Sequence, residues 1–266
     1  MNAQDFQELI WQQGRELYRD MPWREDTRPY FVLVSELMLQ QTQVDRVRVK
    51  FKEFIAAFPD IASLADASLG EVLTVWTGLG YNRRAKFLHE AAKKVVTDFN
   101  GEIPDTLEEL VSLPGVGPNT AGAILAYSFN VPIVFIETNI RTVYFYHFFE
   151  GQAVVSDADI KAVASETLDT ENPREWYWAM MDYGSFLKKQ GAGRNDQSKH
   201  YKKQAPLAGS VREVRGLIIK ELATKELTTD ELRALMPNDD RFKKALKALI
   251  DEGLISTTAN RLHLMR

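Results

Sequence analysis

The stretch Leu113–Leu125, LPGVGPNTAGAIL, decides how the rest of the chain is read. Gly115 and Gly117 allow the backbone to turn tightly between an apolar run at 106–112 and a longer helical run at 118–130. Asn119 or Thr120 is the expected start of the second helix. The amides of Val116, Gly117 and their neighbours would then stand at a helix N-terminus, where a phosphate can bind. Taken alone the pattern also describes an ordinary helix-to-helix turn, so its meaning depends on its company.

Working outward, 266 residues are enough for one large domain or a domain with an appendage. The 45% apolar and 26% charged content is that of an ordinary soluble chain, and no window approaches the ~18 apolar residues of a membrane span. The first residues, MNAQDFQELIWQQ, lack the basic and apolar segments of an export signal, so a cytoplasmic protein is expected, nucleoid-associated if prokaryotic. With no cysteine there is no disulfide, no thiolate-held zinc and no Cys-ligated iron–sulfur cluster. His89, His147, His200 and His263 are dispersed without paired ligand spacing, so no metal site is expected. The net charge of −4 argues against a uniformly basic nucleic-acid binder, but one basic face suffices for phosphate contact. Between 185 and 204, Lys188, Lys189, Arg194, Lys199, Lys202 and Lys203 stand against Asp196 alone.

Apolar residues recur at helical spacing in 4–19, 30–41, 45–57, 69–76, 82–99, 106–112 and 118–130, and again near 138–149, 156–168 and 173–187. The run VPIVFI at 131–136 reads as a buried connector or a strand. Residues 188–209 read as a connector rich in positive charge. Beyond them the order is helix, turn, helix, turn, helix and two short apolar runs around TTAN, which is the order of a winged helix. Thr229 is the expected cap of its second helix, Pro237 closes that helix, and Gly253 ends the third.

Five motifs give the turn its context: MPWREDTRPY, SELMLQQTQV, FPDIASLADASLGEVLTVWTGLGYNRRAKFLHEAA, IPDTLEELVSLPGVGPNTAGAIL and AMMDYG. In order and spacing they resemble the helix-hairpin-helix DNA glycosylase superfamily over about residues 4–187, most closely its MutY-like, adenine-removing branch. The resemblance implies an all-α fold of two helical subdomains with a cleft between them. One is a six-helix barrel over about 22–130, and the other joins 1–21 to 131–187. A basic connector, 188–209, and a winged-helix-like domain, 210–266, would follow.

The resemblance also assigns residues. Glu36 matches the general acid, whose pKa an apolar wall would raise so that it can protonate a departing base. Gln40, Gln41 and Gln43 match the helix end that lines the gap left by a flipped base. Tyr81 falls where the family has a tyrosine that wedges into the duplex, with Arg83 and Arg84 after it as expected phosphate contacts. Gly115, Val116, Gly117, Asn119 and Thr120 form the phosphate-binding hairpin. Glu137 stands where the superfamily has an aspartate that stabilises positive charge on the sugar, one methylene longer here. Asn139 matches an asparagine that orients the general acid.

Three departures qualify the match. Asn119 takes the position of the nucleophilic lysine of endonuclease III, and an amide cannot form a Schiff base, so a glycosylase without lyase activity is expected. The iron–sulfur cysteines are absent, and Lys188, Lys189, Arg194, Lys199, His200, Lys202 and Lys203 would reach the DNA backbone instead. A monovalent cation held by hairpin carbonyls is the one ion the family suggests, and no other cofactor is expected. Nothing in 211–266 resembles the domain that recognises 8-oxoguanine. The expected partner is double-stranded DNA carrying a lesion or mispair, with no membrane, bound by a monomer. Adenine in a mispair is the first substrate choice. Oxidised or deaminated pyrimidines such as 5-hydroxyuracil, uracil or mismatched thymine come next, and a non-catalytic DNA-binding protein is the alternative of another class.

Overall fold

Helices dominate because most apolar runs recur at three and four residues and many carry a side-chain cap. The computed structural model describes residues 1–152, 154–193 and 206–265. The described elements are α1 (Ala3–Glu16), α2 (Pro22–Glu25), α3 (Pro29–Leu39), α4 (Val44–Ala57), α5 (Ile61–Asp66), α6 (Leu69–Trp76), α7 (Arg83–Asp98) and α8 (Leu107–Val111). They continue with α9 (Pro118–Phe129), α10 (Thr138–Phe148), α11 (Asp157–Thr167), α12 (Pro173–Lys189), α13 (Val211–Leu222), α14 (Thr229–Ala234), α15 (Asp240–Asp251), β1 (Ile255–Thr258) and β2 (Arg261–Leu264). Reciprocal capping boxes start α5 with Asp60 and Ser63, α6 with Ser68 and Glu71, α11 with Ser156 and Asp159, and α14 with Thr228 and Glu231. The cap of α14 is therefore Thr228, not Thr229, because the Glu that closes the box lies three residues after Thr228. Among the described residues no helix is long and apolar enough to cross a membrane.

The chain forms two compact units. The first comprises 1–32, 105–111 and 116–204, and the second 33–104, 112–115 and 205–266. The C-terminal helices therefore group with α4–α7, and α8 and α9 group with α10–α12.

In the first unit α12 packs on both α1 and α10. Gly14 makes the α1 crossing close, since a Cβ there would lie 2.5 Å from that of Ala179. Phe6 and Trp176 meet edge to face at 6.0 Å, and the Tyr144 hydroxyl bonds Thr167 Oγ1 at 3.0 Å. Burial pushes that phenol up to about 12. The run 131–136 lies against α9 without forming a strand. Gly122 leaves room there for Phe135, which a Cβ would approach to 2.7 Å.

A buried ion network ties two of the quoted motifs together. Asp182, its side chain fully buried, accepts from Arg24 Nη1 at 2.7 Å, Arg24 Nη2 at 2.9 Å and Arg19 Nε at 2.6 Å.

In the second unit α7 packs on α5 and α6 around Trp76, Leu73 and Leu88, all with no exposed surface. The C-terminal module has the helix–helix–helix–hairpin order expected of a winged helix. Its strands are antiparallel, with Ile255 opposite Leu264 and Thr258 opposite Arg261. Ala259 and Asn260 turn the hairpin at positive φ, 47° and 64°, the geometry of a two-residue hairpin turn. Gly253, at φ 66°, ends α15.

The Asp182 network supplies the first testable outcome. Asp182→Ala leaves the Arg24 guanidinium, 4% exposed, uncompensated. Guanidinium denaturation is expected to show a loss of about 3–5 kcal/mol, and a loss below about 1 kcal/mol would contradict the arrangement.

Candidate active site

Every residue of α3 from Tyr30 to Met38 is buried, so this helix has no solvated face to explain an acid. Glu36 is nonetheless in it, only 8% exposed. A carboxylate buried beside Val34, Leu37 and Met38 is largely shielded from bulk water, a placement that suits proton transfer at a fixed point better than solubility. The helix stops at Leu39. Gln40 is half-buried, Gln41 takes a left-handed φ of 57° and is exposed, and Gln43 is exposed at the N-cap of α4. The glutamines thus form an irregular tip directly after the acid-bearing helix.

The neighbouring turn, TGLGY, contains three positive-φ positions: Gly78 at 98°, Gly80 at 70° and Tyr81 at 47°. The first two suit glycine. The third is costly for an aromatic residue and persists because its surroundings hold it. Trp76 Nε1 donates to the Gly80 carbonyl at 3.1 Å, and the Tyr81 carbonyl accepts from the Arg84 amide at 2.8 Å.

Arg84 differs from expectation. It is buried, and its guanidinium is spent inside the protein rather than offered to a phosphate. Nη1 donates to the carbonyls of Leu37 and Met38, each at 2.7 Å. Nη2 donates to Thr42 Oγ1 at 3.0 Å, the Gly80 carbonyl at 3.1 Å and the Leu79 carbonyl at 3.3 Å. Desolvation lowers its pKa to about 10, against a smaller upward pull from Tyr81. It caps α3, clamps the glutamine tip and ties both to the Tyr81 turn. Arg83, exposed with its guanidinium 5.0 Å from the Phe87 ring, keeps a surface position.

In the other unit a second acid is placed by backbone contacts. Helix α9 begins at Pro118 with Gly117 as N-cap, earlier than Asn119 or Thr120. The reason is that the Asn119 side chain is engaged elsewhere: Nδ2 donates to the Ile136 carbonyl at 3.0 Å, and Oδ1 accepts from the Ile136 amide at 3.3 Å. This two-point clamp fixes the peptide that precedes Glu137. Glu137 occupies the N-cap of α10 in extended conformation, without a side-chain bond to the first-turn amides. A capping role therefore does not account for it. Asn139, two residues on, is approached from behind by α12, where a Cβ on Gly184 would lie 2.2 Å from the Asn139 carbonyl oxygen. Lys188 Nζ lies 3.4 Å from Asn139 Oδ1, and burial pulls its pKa down.

At the hairpin, Gly115 has a φ of 79° and presses on Phe87, which a Cβ would approach to 2.8 Å. Val116 is buried, Gly117, Pro118 and Asn119 are exposed, and Thr120 is half-buried. Lys189 is exposed at the end of α12. Arg194, Lys199, His200, Lys202 and Lys203 lie outside the described residues.

Residues 34–265 match the family described as HhH-GPD superfamily base excision DNA repair protein. This chain belongs to that superfamily. Among curated relatives of this HhH-GPD protein, the adenine DNA glycosylase of Buchnera aphidicola subsp. Baizongia pistaciae is 34% identical over 173 residues. That match takes in 64% of this chain and 48% of the relative, so the chain spans about half of it. The adenine DNA glycosylase of Mycobacterium tuberculosis (strain CDC 1551 / Oshkosh) is 31% identical over 281 aligned positions, 95% of this chain and 90% of the relative. Among solved structures, a thermostable thymine-DNA glycosylase aligns with a TM-score of 0.64 at 23% identity, covering 69% of this chain and 86% of that one. A trapped endonuclease III–DNA covalent intermediate aligns with a TM-score of 0.57 at 17% identity, covering 77% and 91%. Both share the HhH-GPD fold.

Sequence reasoning missed the placing function of Asn119, Gly184 and Arg84, although Gly184 inside a helical run was a visible sign of close backbone approach. Gly184 gives a direct test. Gly184→Ala cannot be accommodated without moving the Asn139 backbone, and displacements of about 1 Å near reacting groups cost roughly 100-fold in rate. Base release by this variant is expected to fall by about that factor while helical circular dichroism is retained. Unchanged release would show that the start of α10 is not part of the site.

Proposed function

We propose that this HhH-GPD protein is a monofunctional DNA glycosylase that hydrolyses the N-glycosidic bond of an adenine flipped out of a mispair in duplex DNA. One observation carries the reading: a carboxylate, Glu36, retained at 8% exposure in a helix buried along its length and followed at once by a glutamine tip. The adenine specificity draws on the two curated relatives, both adenine DNA glycosylases.

In this reading Glu36 donates a proton to the adenine as the bond between base and sugar breaks, so the base leaves neutral. Water adds at the sugar carbon and gives up its proton to the carboxylate. Glu137 opposes the positive charge that develops on the deoxyribose. Flipping exposes the bond to these groups. Gln40, Gln41 and Gln43 bond the orphaned base edge or fill its place, and Tyr81 stacks in the duplex beside it. The amides of Val116, Gly117 and Thr120 receive a backbone phosphate, and Lys188 and Lys189 add positive charge toward the strand. No lyase step follows, because Asn119 offers an amide where a Schiff base needs an amine. The enzyme acts as a monomer in the compartment that holds the DNA.

A panel of duplexes, each with one adenine mispair, uracil, 5-hydroxyuracil or mismatched thymine, assayed with and without alkali, tests the reading. The expected result is release of mispaired adenine, with strand cleavage only after alkali and no borohydride-trapped complex. Glu36→Gln should lower release by roughly 100- to 10,000-fold. Pyrimidine release in place of adenine would overturn the substrate. A trapped complex would overturn the monofunctional step, and full activity in Glu36→Gln would overturn the mechanism.

A further inference from the structure

The C-terminal module is attached to the second unit at the very turn that carries Tyr81. Arg212, in the first turn of α13, donates through Nη1 to the Tyr81 hydroxyl, and its guanidinium carbon lies 5.3 Å from the centre of the Tyr81 ring. Arg84 contributes a second guanidinium 5.4 Å from the same ring. Tyr81 is thus fixed at its backbone by the turn and at its hydroxyl by a residue 131 positions away.

Arg212 itself is well anchored. Ser210 caps α13 by accepting from the Glu213 amide, and Arg212 Nη2 reaches the Pro206 carbonyl at 3.4 Å. Two further contacts seat the module independently of Tyr81. Lys86 Nζ donates to the Glu252 carbonyl at 2.6 Å, satisfying the end of α15. Gly70 of α6 faces the Met265 carbonyl and Leu264, which a Cβ would approach to 3.1 Å and 3.3 Å. Docking therefore does not need an arginine on Tyr81. Holding one half-exposed aromatic ring at a positive-φ turn is a separate task, and Arg212 performs it.

We propose that Arg212 is a positioning residue for Tyr81, which makes the C-terminal module a working part of mispair reading rather than a passive appendage. The proposal rests on the reading above that Tyr81 meets DNA. An aromatic side chain on a turn loses rotamer freedom when it inserts, and a hydroxyl bond plus a cation over the ring remove that freedom beforehand. Binding energy is then kept for the distorted duplex.

The test measures two quantities on a full-length chain: the single-turnover rate of adenine release, and the ratio of affinities for mispaired over matched duplex. Arg212→Ala is expected to lower both by about ten-fold, the size of one charged hydrogen bond with its ring contact. Arg212→Lys should recover part of the loss. Tyr81→Phe, which keeps the ring and removes the hydroxyl, should fall between wild type and Arg212→Ala. In a Tyr81→Ala background, Arg212→Ala should add nothing, because the arginine acts through the ring. Wild-type values in Arg212→Ala, or the same ten-fold loss in the Tyr81→Ala background, overturn the proposal. So does a loss fully explained by a lowered denaturation midpoint. If the wild-type chain prefers mispaired duplex but releases no adenine, the proposed chemistry fails and Arg212 is judged on the affinity ratio. If it shows no such preference, both fail.

Discussion

The charged end of Arg84 is out of water, and the five acceptors that keep it there are four backbone carbonyls and one threonine hydroxyl. Burying a cation in this way is costly, and the downward shift of its pKa to about 10 is the mark of that cost. What offsets it is position. Leu37 and Met38 present the unpaired carbonyls at the C-terminus of α3, where the helix dipole is negative, and the rings of Trp76 and Tyr81 each lie 5.4 Å away. The stretch from Glu36 to Tyr81 in the second unit inherits its geometry from this arrangement. The acid sits one residue before the first clamped carbonyl, the glutamine tip starts two residues after the second, and the tyrosine turn is pinned through Gly80. An arginine is needed because a lysine would bring three donors on one point and could not span acceptors from two segments.

The first unit reaches the same end with neutral groups. Asn119 pairs with both the amide and the carbonyl of Ile136, as a neighbouring strand would, and so holds the residue before Glu137 although no strand forms there. Gly122 and Gly184 supply the space: one lets the 131–136 connector settle on α9, the other lets α12 press on the start of α10. The Asn119 amide acts as a backbone clamp, and the Glu137 side chain extends from a peptide that this clamp holds.

Much of this was legible in the residues. The long helices appear where apolar spacing put them, because burial on one face and side-chain caps act locally and leave a local trace, as at Ser68 and Ser156. The glutamine tip and the acid before it were visible as a polar interruption after an apolar run. What was not legible depends on distant partners. Arg83 and Arg84 look alike in sequence, yet one is exposed and the other buried, since only the helical phase of α7 turns the second toward Leu37. The start of α9 was misjudged because Asn119 is a good cap in general, and here its amide is drawn to Ile136; Pro118 at the first helical position was the better signal. The pairing of Arg24 with Asp182 spans 158 positions and leaves no periodicity to read.

The C-terminal module shows how electrostatics can redirect a familiar architecture. In a helix-helix-helix-hairpin module the third helix is the usual candidate for a nucleic-acid groove. Here several cations on and around α15 are answered from within the module: Arg241 by Asp239 and Glu213, Lys247 by Asp251, and Arg215 by Glu252. The helix also gives its C-terminal carbonyl to Lys86, so that end faces the protein. Exposed pairs of this kind are weak one by one, and a phosphate could compete for a single arginine. Lys243 and Lys244 remain exposed on the helix, but among the described residues the pairing takes Arg241, Lys247 and Arg215 out of the free positive charge that groove binding draws on. Arg212 has a different setting, with an aromatic ring and its hydroxyl as partners on a turn outside the module. The charge pattern therefore favours a module that acts by bracing α6, α7 and the Tyr81 turn over one that reads a groove on its own account.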